Sequence, residues 1–397
     1  MRVYQFRHIR AERQCSPGPG RWIAAVRPTM RLLIRRLIPL TLVAVVAFSQ
    51  AAAAAPTPAK LPPLPRVWPH TLELGLADGP GDAAALRRRA PFGFRYQYLA
   101  GGVNTGNGWE TWDPNGAFAS RYVRESWAHR TIPVLSYYML LQSTPAGGDE
   151  RQTDLAHLHD AGLMATYWQD VELLFRRVRG NRPVVVHVEP DLWGYLEQSH
   201  AIALARSFAQ RWLALRNRLA PNVLLAYHLS RWGTNHDIVY EDPSDAVVRR
   251  YAAESAAFYR GLHTRFDIAF DEYSDRDADY YKLVEHNPDT WFTPGDFHRH
   301  LLYGATFVKL AHVRLVAWQI PLGNTHLDDT PGHYRDNRVQ WLLGPRGRAH
   351  LAAYVKAGYA GFLFGGGAAD TTSAQSDGGY FFARAKAYYS AGAVRLP

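Results

Sequence analysis

Short apolar stretches alternate with longer amphipathic stretches along residues 70–397. Each apolar stretch is rich in β-branched or aromatic residues and is bounded by turn residues, a pattern typical of buried strands. Eight strands are predicted, at residues 71–76, 92–99, 132–140, 184–191, 223–229, 266–273, 314–320 and 358–365. Apolar positions at helical spacing predict helices between them, at residues 118–129, 155–178, 202–219, 246–262, 297–310, 338–357 and 381–391.

The alternation of strands and helices predicts a parallel sheet. Eight strands at a spacing of about forty residues favour a closed (β/α)8 TIM barrel over an open doubly wound sheet. An open sheet would need a glycine-rich phosphate turn after its first strand, and the sequence has neither a GxGxxG nor a P-loop pattern. We therefore expect one α/β barrel over residues 70–397, with its chemistry at the carboxyl ends of the strands.

The first 55 residues resemble an export leader. Residues 30–55 combine a positive start, an apolar run too short for a membrane span and a series of small residues, as in a signal peptide. Residues 1–29 are expected to be an over-extended start, and residues 56–69 a Pro-rich linker. The mature chain is thus predicted to be secreted or periplasmic, without an integral membrane segment, and Sec and twin-arginine export both stay open.

The formal charge of +10 belongs mostly to this leader. Residues 1–29 carry a net +5 and residues 30–55 a further +3, which leaves +2 for the rest. A nucleic-acid partner is therefore not expected. The single cysteine, Cys15, also lies in the leader, so the mature chain has no disulfide and no thiol nucleophile. We expect a monomer that needs no cofactor.

Predicted strand four ends in a run of chemically active residues. Its period of two places His187, Glu189 and Asp191 on one face. Two close carboxylates repel each other, which raises the pKa of one of them, as a general acid requires. Trp193 and Tyr195 offer surfaces on which a sugar ring can stack. We expect Glu189 and Asp191 to be catalytic and the other three to bind substrate, with an Arg-paired structural role for Glu189 as the alternative.

Predicted strand six offers a second acid. Asp271 and Tyr273 share a face, and Asp271 is expected to point into the mouth as a further catalytic carboxylate, with Tyr273 binding substrate. Aspartates then alternate along residues 275–279, which resembles half of a calcium loop but lacks its glycine and its glutamate. Asp275 is expected to bind substrate, while an Asp275–Arg276 salt bridge and calcium binding stay open.

Further substrate-binding candidates are polar or aromatic residues at other predicted strand ends and loops. They are Asn104, Trp109, His228, Trp318, Gln319 and Asp328. An acid of the Asp328-Asp329 loop is also the alternative to Asp271 as the carboxylate that activates water. His228 and His236 could join His187 in a metal site, but isolated histidines more often form structural hydrogen bonds, and no bound metal is expected. The chain has neither a GxSxG nor an HExxH motif.

Residues 184–198 (VVVHVEPDLWGYLEQ) resemble the Glu-Pro-Asp segment of glycoside hydrolase family 6, the cellulases and cellobiohydrolases. The resemblance implies that Asp191 is the general acid of an inverting mechanism. Asp275-Arg276-Asp277 is similar to the family's Asp-Arg-Asp segment, which precedes Glu-Pro-Asp in the family and follows it in this chain. Retaining barrels of the large cellulase clan carry a Glu at the end of strand seven, where this chain has Gln319, which disfavours that type.

These features together predict a secreted glycoside hydrolase that cleaves a polysaccharide or oligosaccharide by carboxylate acid/base catalysis, with inversion of configuration expected. Two alternatives stay open. One is a barrel that binds carbohydrate without cleaving it. The other is a metal-assisted enzyme that modifies a polysaccharide, such as a calcium-assisted lyase.

Overall fold

A computed structural model describes residues 60–287 and 290–397. The predicted start, the signal peptide and the first residues of the linker lie outside the described residues. Eight strands form a closed barrel in chain order, each parallel to its neighbours, and β8 pairs with β1. The structure confirms the predicted (β/α)8 barrel.

All eight predicted strands are present, most of them slightly shorter than predicted. They are β1 Glu73–Ala77, β2 Phe94–Ala100, β3 Ile132–Tyr138, β4 Val184–Val188, β5 Val223–Leu229, β6 Ile268–Glu272, β7 Leu315–Ile320 and β8 Tyr359–Phe364. The largest difference at a single strand end is at β4, which ends at Val188 instead of residue 191. There Glu189 adopts a positive φ of 41° and Pro190 has no N–H to donate to the ladder.

The helices alternate with the strands and cover the outside of the barrel. They are α1 Ala83–Arg89, α2 Ala117–Ala128, α3 Glu150–His159, α4 Ala161–Val178, α5 Leu192–Gln198, α6 Ile202–Leu219, α7 Asp245–Gly261, α8 Ala278–Leu283, α9 Pro294–Ala311, α10 Arg338–Leu343, α11 Gly347–Ala357 and α12 Tyr380–Ser390. In the described part of the chain, no helix is both long and apolar enough to cross a membrane.

Two helices predicted as continuous are each divided in two. The predicted helix at 155–178 breaks at Asp160, whose side chain accepts hydrogen bonds from the N–H groups of Gly162 and Leu163 and so caps α4. The predicted helix at 338–357 breaks at residues 344–346, where Gly344 leaves the helical conformation and Pro345 follows. Neither break alters the order of strands that forms the site.

The barrel interior is apolar at its amino end and polar at its carboxyl end. The apolar part is filled by alternate strand residues, among them Phe94, Tyr96, Val134, Val185, Ile268, Phe270, Val316 and Leu363. Nearer the carboxyl end, the inward-facing positions of β3, β4 and β5 are polar and are occupied by Ser136, His187 and His228. We call this open carboxyl end the mouth of the barrel.

Trp68 closes the amino end of the barrel. It comes from the segment predicted to be a linker, yet its side chain is only 4% exposed and belongs to the interior cluster. Its indole N–H donates to the carbonyl oxygen of Ala360 at 3.0 Å, and its ring centroid lies 5.0 Å from that of Phe94. The end of the Pro-rich segment is therefore part of the folded barrel.

Replacement of Trp68 by Ala is expected to lower the free energy of unfolding by about 3–5 kcal/mol, because it leaves a cavity under the barrel and an unpaired carbonyl. Urea denaturation of the purified protein measures this change. The adjacent Val67 is 62% exposed, so Val67→Ala should change the stability by less than about 0.5 kcal/mol. Equal effects of the two substitutions would contradict the role of Trp68.

Candidate active site

A turn with left-handed backbone follows β4 and determines where the carboxylates of Glu189 and Asp191 lie. Glu189 and Asp191 have φ angles of 41° and 72°, with Pro190 between them. Positive φ is uncommon for residues with a Cβ atom, and it interrupts the alternation of side chains that a strand imposes. In this Glu-Pro-Asp turn (residues 189–191), Glu189 and Asp191 therefore point to different surroundings. The prediction that the two share one face is wrong.

Asp191 lies at the mouth of the barrel. The hydroxyl of Tyr138, the last residue of β3, donates to its Oδ2 at 3.2 Å. A carboxylate oxygen of Asp191, a ring nitrogen of His228 and a carboxylate oxygen of Glu272 all lie within 4.8 Å of one another. A carboxylate from the turn after β4 and one from the end of β6 thus face each other across the mouth.

Glu189 is buried in the barrel wall and is only 1% exposed. Its carboxyl group accepts hydrogen bonds from the backbone N–H groups of Met139 and Leu140, at 3.2 Å each, and lies beside Tyr167 of α4. Burial raises the pKa of Glu189 to about 8, against which these hydrogen bonds act. Glu189 is therefore protonated at neutral pH and fixes the loop after β3.

Asp271 also lies away from the mouth. It is fully buried and accepts hydrogen bonds from the guanidinium group of Arg231 and the hydroxyl of Tyr359. The predicted direction of its side chain is wrong, because Ile268 and Phe270 line the barrel interior and the alternation then turns Glu272 inward. The carboxylate that β6 contributes to the mouth is that of Glu272.

Glu272 has two partners, of which the sequence singles out only His228. The indole N–H of Trp232, which follows β5, donates to its Oε2 at 2.9 Å, and the Nε2 atom of His228 lies 3.8 Å from the same oxygen. The indole ring of Trp232 packs closely against α5 because residue 194 of that helix is a glycine. A Cβ atom at Gly194 would lie only 2.5 Å from the ring. Counting side-chain alternation outward from Phe270 would have identified Glu272 from the sequence.

A chain of hydrogen-bonding groups runs across the floor of the mouth. Ser136 Oγ lies 3.2 Å from His187 Nδ1, and His187 Nε2 lies 3.1 Å from His228 Nδ1. All three side chains are fully buried. Burial lowers the pKa of His187 well below its ordinary value, so its imidazole is neutral. His187 therefore links Ser136 to His228, and the chain ends beside Glu272.

Aromatic rings surround the carboxylate pair. Trp318 packs edge to face on His187, with 4.7 Å between ring centroids, and lies 6.0 Å from Tyr98. The amide of Gln319 donates to the hydroxyl of Tyr98. On another side, the ring of Tyr195 lies 4.9 Å from that of Trp232. The mouth thus combines two carboxylates with several rings, the chemistry that pyranose binding and cleavage require.

The structure brings some of the predicted site residues together and separates others. Six lie around the mouth: His187, Asp191, Tyr195, His228, Trp318 and Gln319. Asp275 lies beside Gln319 near Gly367 and is bonded to Arg276 and Tyr281, so the salt bridge that the sequence left open is present.

The remaining predicted site residues have other contacts. The indole N–H of Trp109 donates to Asp170, and that of Trp193 to the carbonyl of Val188, and both rings are fully buried. Asn104 bonds to the backbone of Thr144, Tyr273 shares a hydrogen bond with Tyr354, and the exposed Asp328 bonds to Thr330. The expectation that buried Trp109, Trp193 and Tyr273 contact substrate is therefore not met.

A cavity of about 540 Å³ lies at the carboxyl ends of β1, β2 and β8, with Tyr98 in its wall. Gln97, Asp78 and the backbone of residues 365–367 contribute polar groups to it, and Leu322 and Phe382 apolar ones. This size is within the range of small-molecule binding sites. The cavity shares Tyr98 with the aromatic group around the carboxylate pair.

Comparison with solved structures places the barrel beside glycoside hydrolases. GH26C from Muricauda sp. is 13% identical, with a TM-score of 0.51, over 82% of this chain and 87% of that protein. A modular endo-β-1,4-mannanase of family 26 from Cellulomonas fimi is 15% identical, with a TM-score of 0.49, over 81% and 70% of the two chains. At this identity the likeness shows the shared fold alone.

No protein-family model and no curated protein sequence matches this chain. A family 6 enzyme from Orpinomyces sp. Y102 has a TM-score of only 0.31, at 13% identity, over 60% of this chain and 63% of that protein. Because no family model matches, the resemblance of the Glu-Pro-Asp segment to family 6 is not confirmed.

The raised pKa of Glu189 predicts a specific dependence of stability on pH. The folded protein holds this proton up to about pH 8, while the ordinary pKa is 4.5, so the folded state loses stability as the pH rises between these values. Glu189→Gln replaces the neutral acid with a neutral amide. As the pH rises from about 5 to about 9, the free energy of unfolding of the variant should therefore increase relative to that of the parent protein, as measured by urea denaturation.

Glu254→Gln is the control for this experiment, because Glu254 lies on the exposed surface of α7. The difference in free energy of unfolding between Glu254→Gln and the parent protein should stay nearly constant over the same pH interval. If the free energy of unfolding of Glu189→Gln differs from that of the parent protein by the same amount at every pH, Glu189 is ionised in the folded protein. That result would contradict its role as a neutral acid.

Proposed function

We propose that this protein is a glycoside hydrolase that cleaves an oligosaccharide or polysaccharide with Asp191 and Glu272 as its catalytic carboxylates. The observation that carries the proposal is their opposition across the mouth, with oxygen atoms within 4.8 Å of each other. Two carboxyl groups that flank one bond are the machinery common to most glycoside hydrolases. The shared barrel fold is consistent with this chemistry but does not by itself determine it.

The surroundings of the two carboxylates support different roles. The N–H of Trp232 donates to Oε2 of Glu272 and fixes the orientation of its carboxylate, which a nucleophile needs for attack on the anomeric carbon. Asp191 lies beside the hydroxyl of Tyr138. A hydroxyl can both donate and accept, so it suits a carboxyl group that alternates between its protonated and ionised forms. We assign Glu272 as the nucleophile and Asp191 as the general acid and base.

The spacing supports retention of configuration in place of the inversion expected from the sequence. Carboxyl groups of retaining enzymes lie about 5–5.5 Å apart, and those of inverting enzymes about 6.5–9.5 Å. In a retaining reaction, Asp191 gives its proton to the glycosidic oxygen while Glu272 bonds to the anomeric carbon and the leaving group departs. Asp191 then removes a proton from water, which attacks the anomeric carbon and releases Glu272.

The rings and the cavity support binding of a sugar chain. The pair formed by Tyr195 and Trp232, both partly exposed, offers a stacking surface beside the carboxylates, whereas Trp318 is only 2% exposed and belongs to the barrel interior. The cavity beside Tyr98 has room for further sugar units. Export to the periplasm or the medium, which the leader sequence predicts, and a monomeric state are further parts of the proposal.

Asp191→Asn and Glu272→Gln should each lower the rate of glycan cleavage by about 10²–10⁴-fold, because each removes a group that acts in the transition state. The assay is release of reducing ends from a panel of soluble glycans that includes mannans and glucans. Glu254→Gln is the control, because Glu254 lies on the exposed surface of α7, outside the candidate site. Full activity of Asp191→Asn would remove Asp191 from the mechanism.

The anomeric form of the first product tests the assigned stereochemistry. Proton NMR at early reaction times should show the configuration of the cleaved bond retained. Appearance of the opposite anomer would contradict the assignment of Glu272 as nucleophile. Saturable glycan binding with no cleavage of any panel member by the parent protein would contradict the hydrolase proposal and favour the non-catalytic binding barrel.

A further inference from the structure

His228 presents an unused nitrogen to the carboxylate pair. Its side chain is fully buried, and its Nε2 atom has no hydrogen-bond partner although it lies 3.8 Å from Glu272 Oε2. Buried polar atoms are normally paired, because an unmet hydrogen bond is costly away from water. An unpaired nitrogen close to the carboxylate of Glu272 therefore indicates a bound group that the hydrolytic mechanism does not include.

The spacing of the three groups suits a single ion. One ligand atom from each of Asp191, His228 and Glu272 lies within 4.8 Å of the other two. Ligands about 2.1 Å from a tetrahedral ion lie about 3.4 Å apart, so small rotations of the two carboxylates would bring all three atoms into range. Both carboxylates are partly exposed at the mouth, which leaves a path for the ion to enter.

The chemistry of the three ligands indicates which ion they would hold. Calcium and magnesium prefer oxygen ligands alone, whereas an imidazole nitrogen with two carboxylates suits zinc and similar transition metals. His228 also has the support that metal-binding histidines need. Its Nδ1–H can donate to His187 Nε2, at 3.1 Å, and His187 Nδ1–H can then donate to Ser136 Oγ, at 3.2 Å. This orientation leaves the lone pair of His228 Nε2 directed at the ion.

We propose that Asp191, His228 and Glu272 form a binding site for one divalent transition-metal ion of the zinc type. The ion and the glycosidic bond require the same two carboxylates, so metal binding and glycan cleavage exclude each other. The mutual exclusion of metal binding and cleavage rests on the proposed function, and it implies that the metal inhibits the enzyme. The first part, binding of the ion, depends only on the geometry of the three side chains.

Titration calorimetry tests the binding site directly. The full chain, purified without a histidine tag and treated with a chelator, is titrated with zinc, magnesium or calcium chloride. We expect one zinc ion per chain and no comparable binding of the other two ions. His228→Gln should weaken zinc binding by at least about tenfold, and His159→Gln, which removes an exposed histidine of α3, should leave it unchanged.

Asp191→Asn provides a second variant in case His228→Gln fails to fold, which circular dichroism would reveal. It should also weaken zinc binding by at least about tenfold, because it removes a charged ligand at the rim rather than a buried ring. Absence of one-to-one zinc binding would overturn the proposal. Equal zinc affinity in the parent protein and in a folded His228→Gln or Asp191→Asn variant would overturn it as well.

The activity assay separates this proposal from the proposed function. Zinc should inhibit glycan cleavage in proportion to the occupancy measured by calorimetry. If zinc binds but cleavage continues or accelerates, competition for the carboxylates is overturned while the metal site stands. If the parent protein cleaves no glycan, the proposed function fails, and the calorimetric comparison of the variants still decides whether the metal site exists.

Discussion

The left-handed backbone of the Glu-Pro-Asp turn is the constraint on which the candidate site depends. Two carboxylates two residues apart on a regular strand would share a face and repel each other. The positive φ angles at Glu189 and Asp191 separate them instead. Glu189 becomes a neutral acid that fixes the loop after β3, and Asp191 becomes the acid at the mouth. Such strained backbone conformations are concentrated at functional sites.

The closed barrel supplies the second half of the site. Parallel strands end at one rim, so inward-facing residues of β4, β5 and β6 meet there although they lie far apart in the sequence. The apolar interior lies beneath them, and its low dielectric strengthens the buried hydrogen bonds that join Ser136, His187 and His228. The row from Ser136 through His187 to His228 connects this interior with Glu272. The same row supports both the proposed catalytic carboxylate and the proposed metal ligand.

The fold could be predicted from the sequence more fully than the site. All eight strands were found, because buried parallel strands have strong apolar signals. The pairing of Glu189 with Asp191 was wrong because a periodicity of two cannot reveal a positive φ. The alternation along predicted strand six does not show which of its two faces is inward, so the sequence predicts Asp271 and not Glu272 at the mouth. Trp109 and Trp193 were predicted to bind sugar, but each indole N–H has a buried partner that only the tertiary structure shows.

Asp191 and Glu272 are proposed to flank one glycosidic oxygen at the mouth of the barrel. A crystal structure of the Glu272→Gln variant with a bound oligosaccharide tests this arrangement most directly, since the variant should hold the substrate without cleaving it. We expect a glycosidic oxygen within hydrogen-bonding distance of Asp191, with a sugar ring against Tyr195 or Trp232. An oligosaccharide bound elsewhere, with Asp191 and residue 272 out of contact with it, would contradict the proposal.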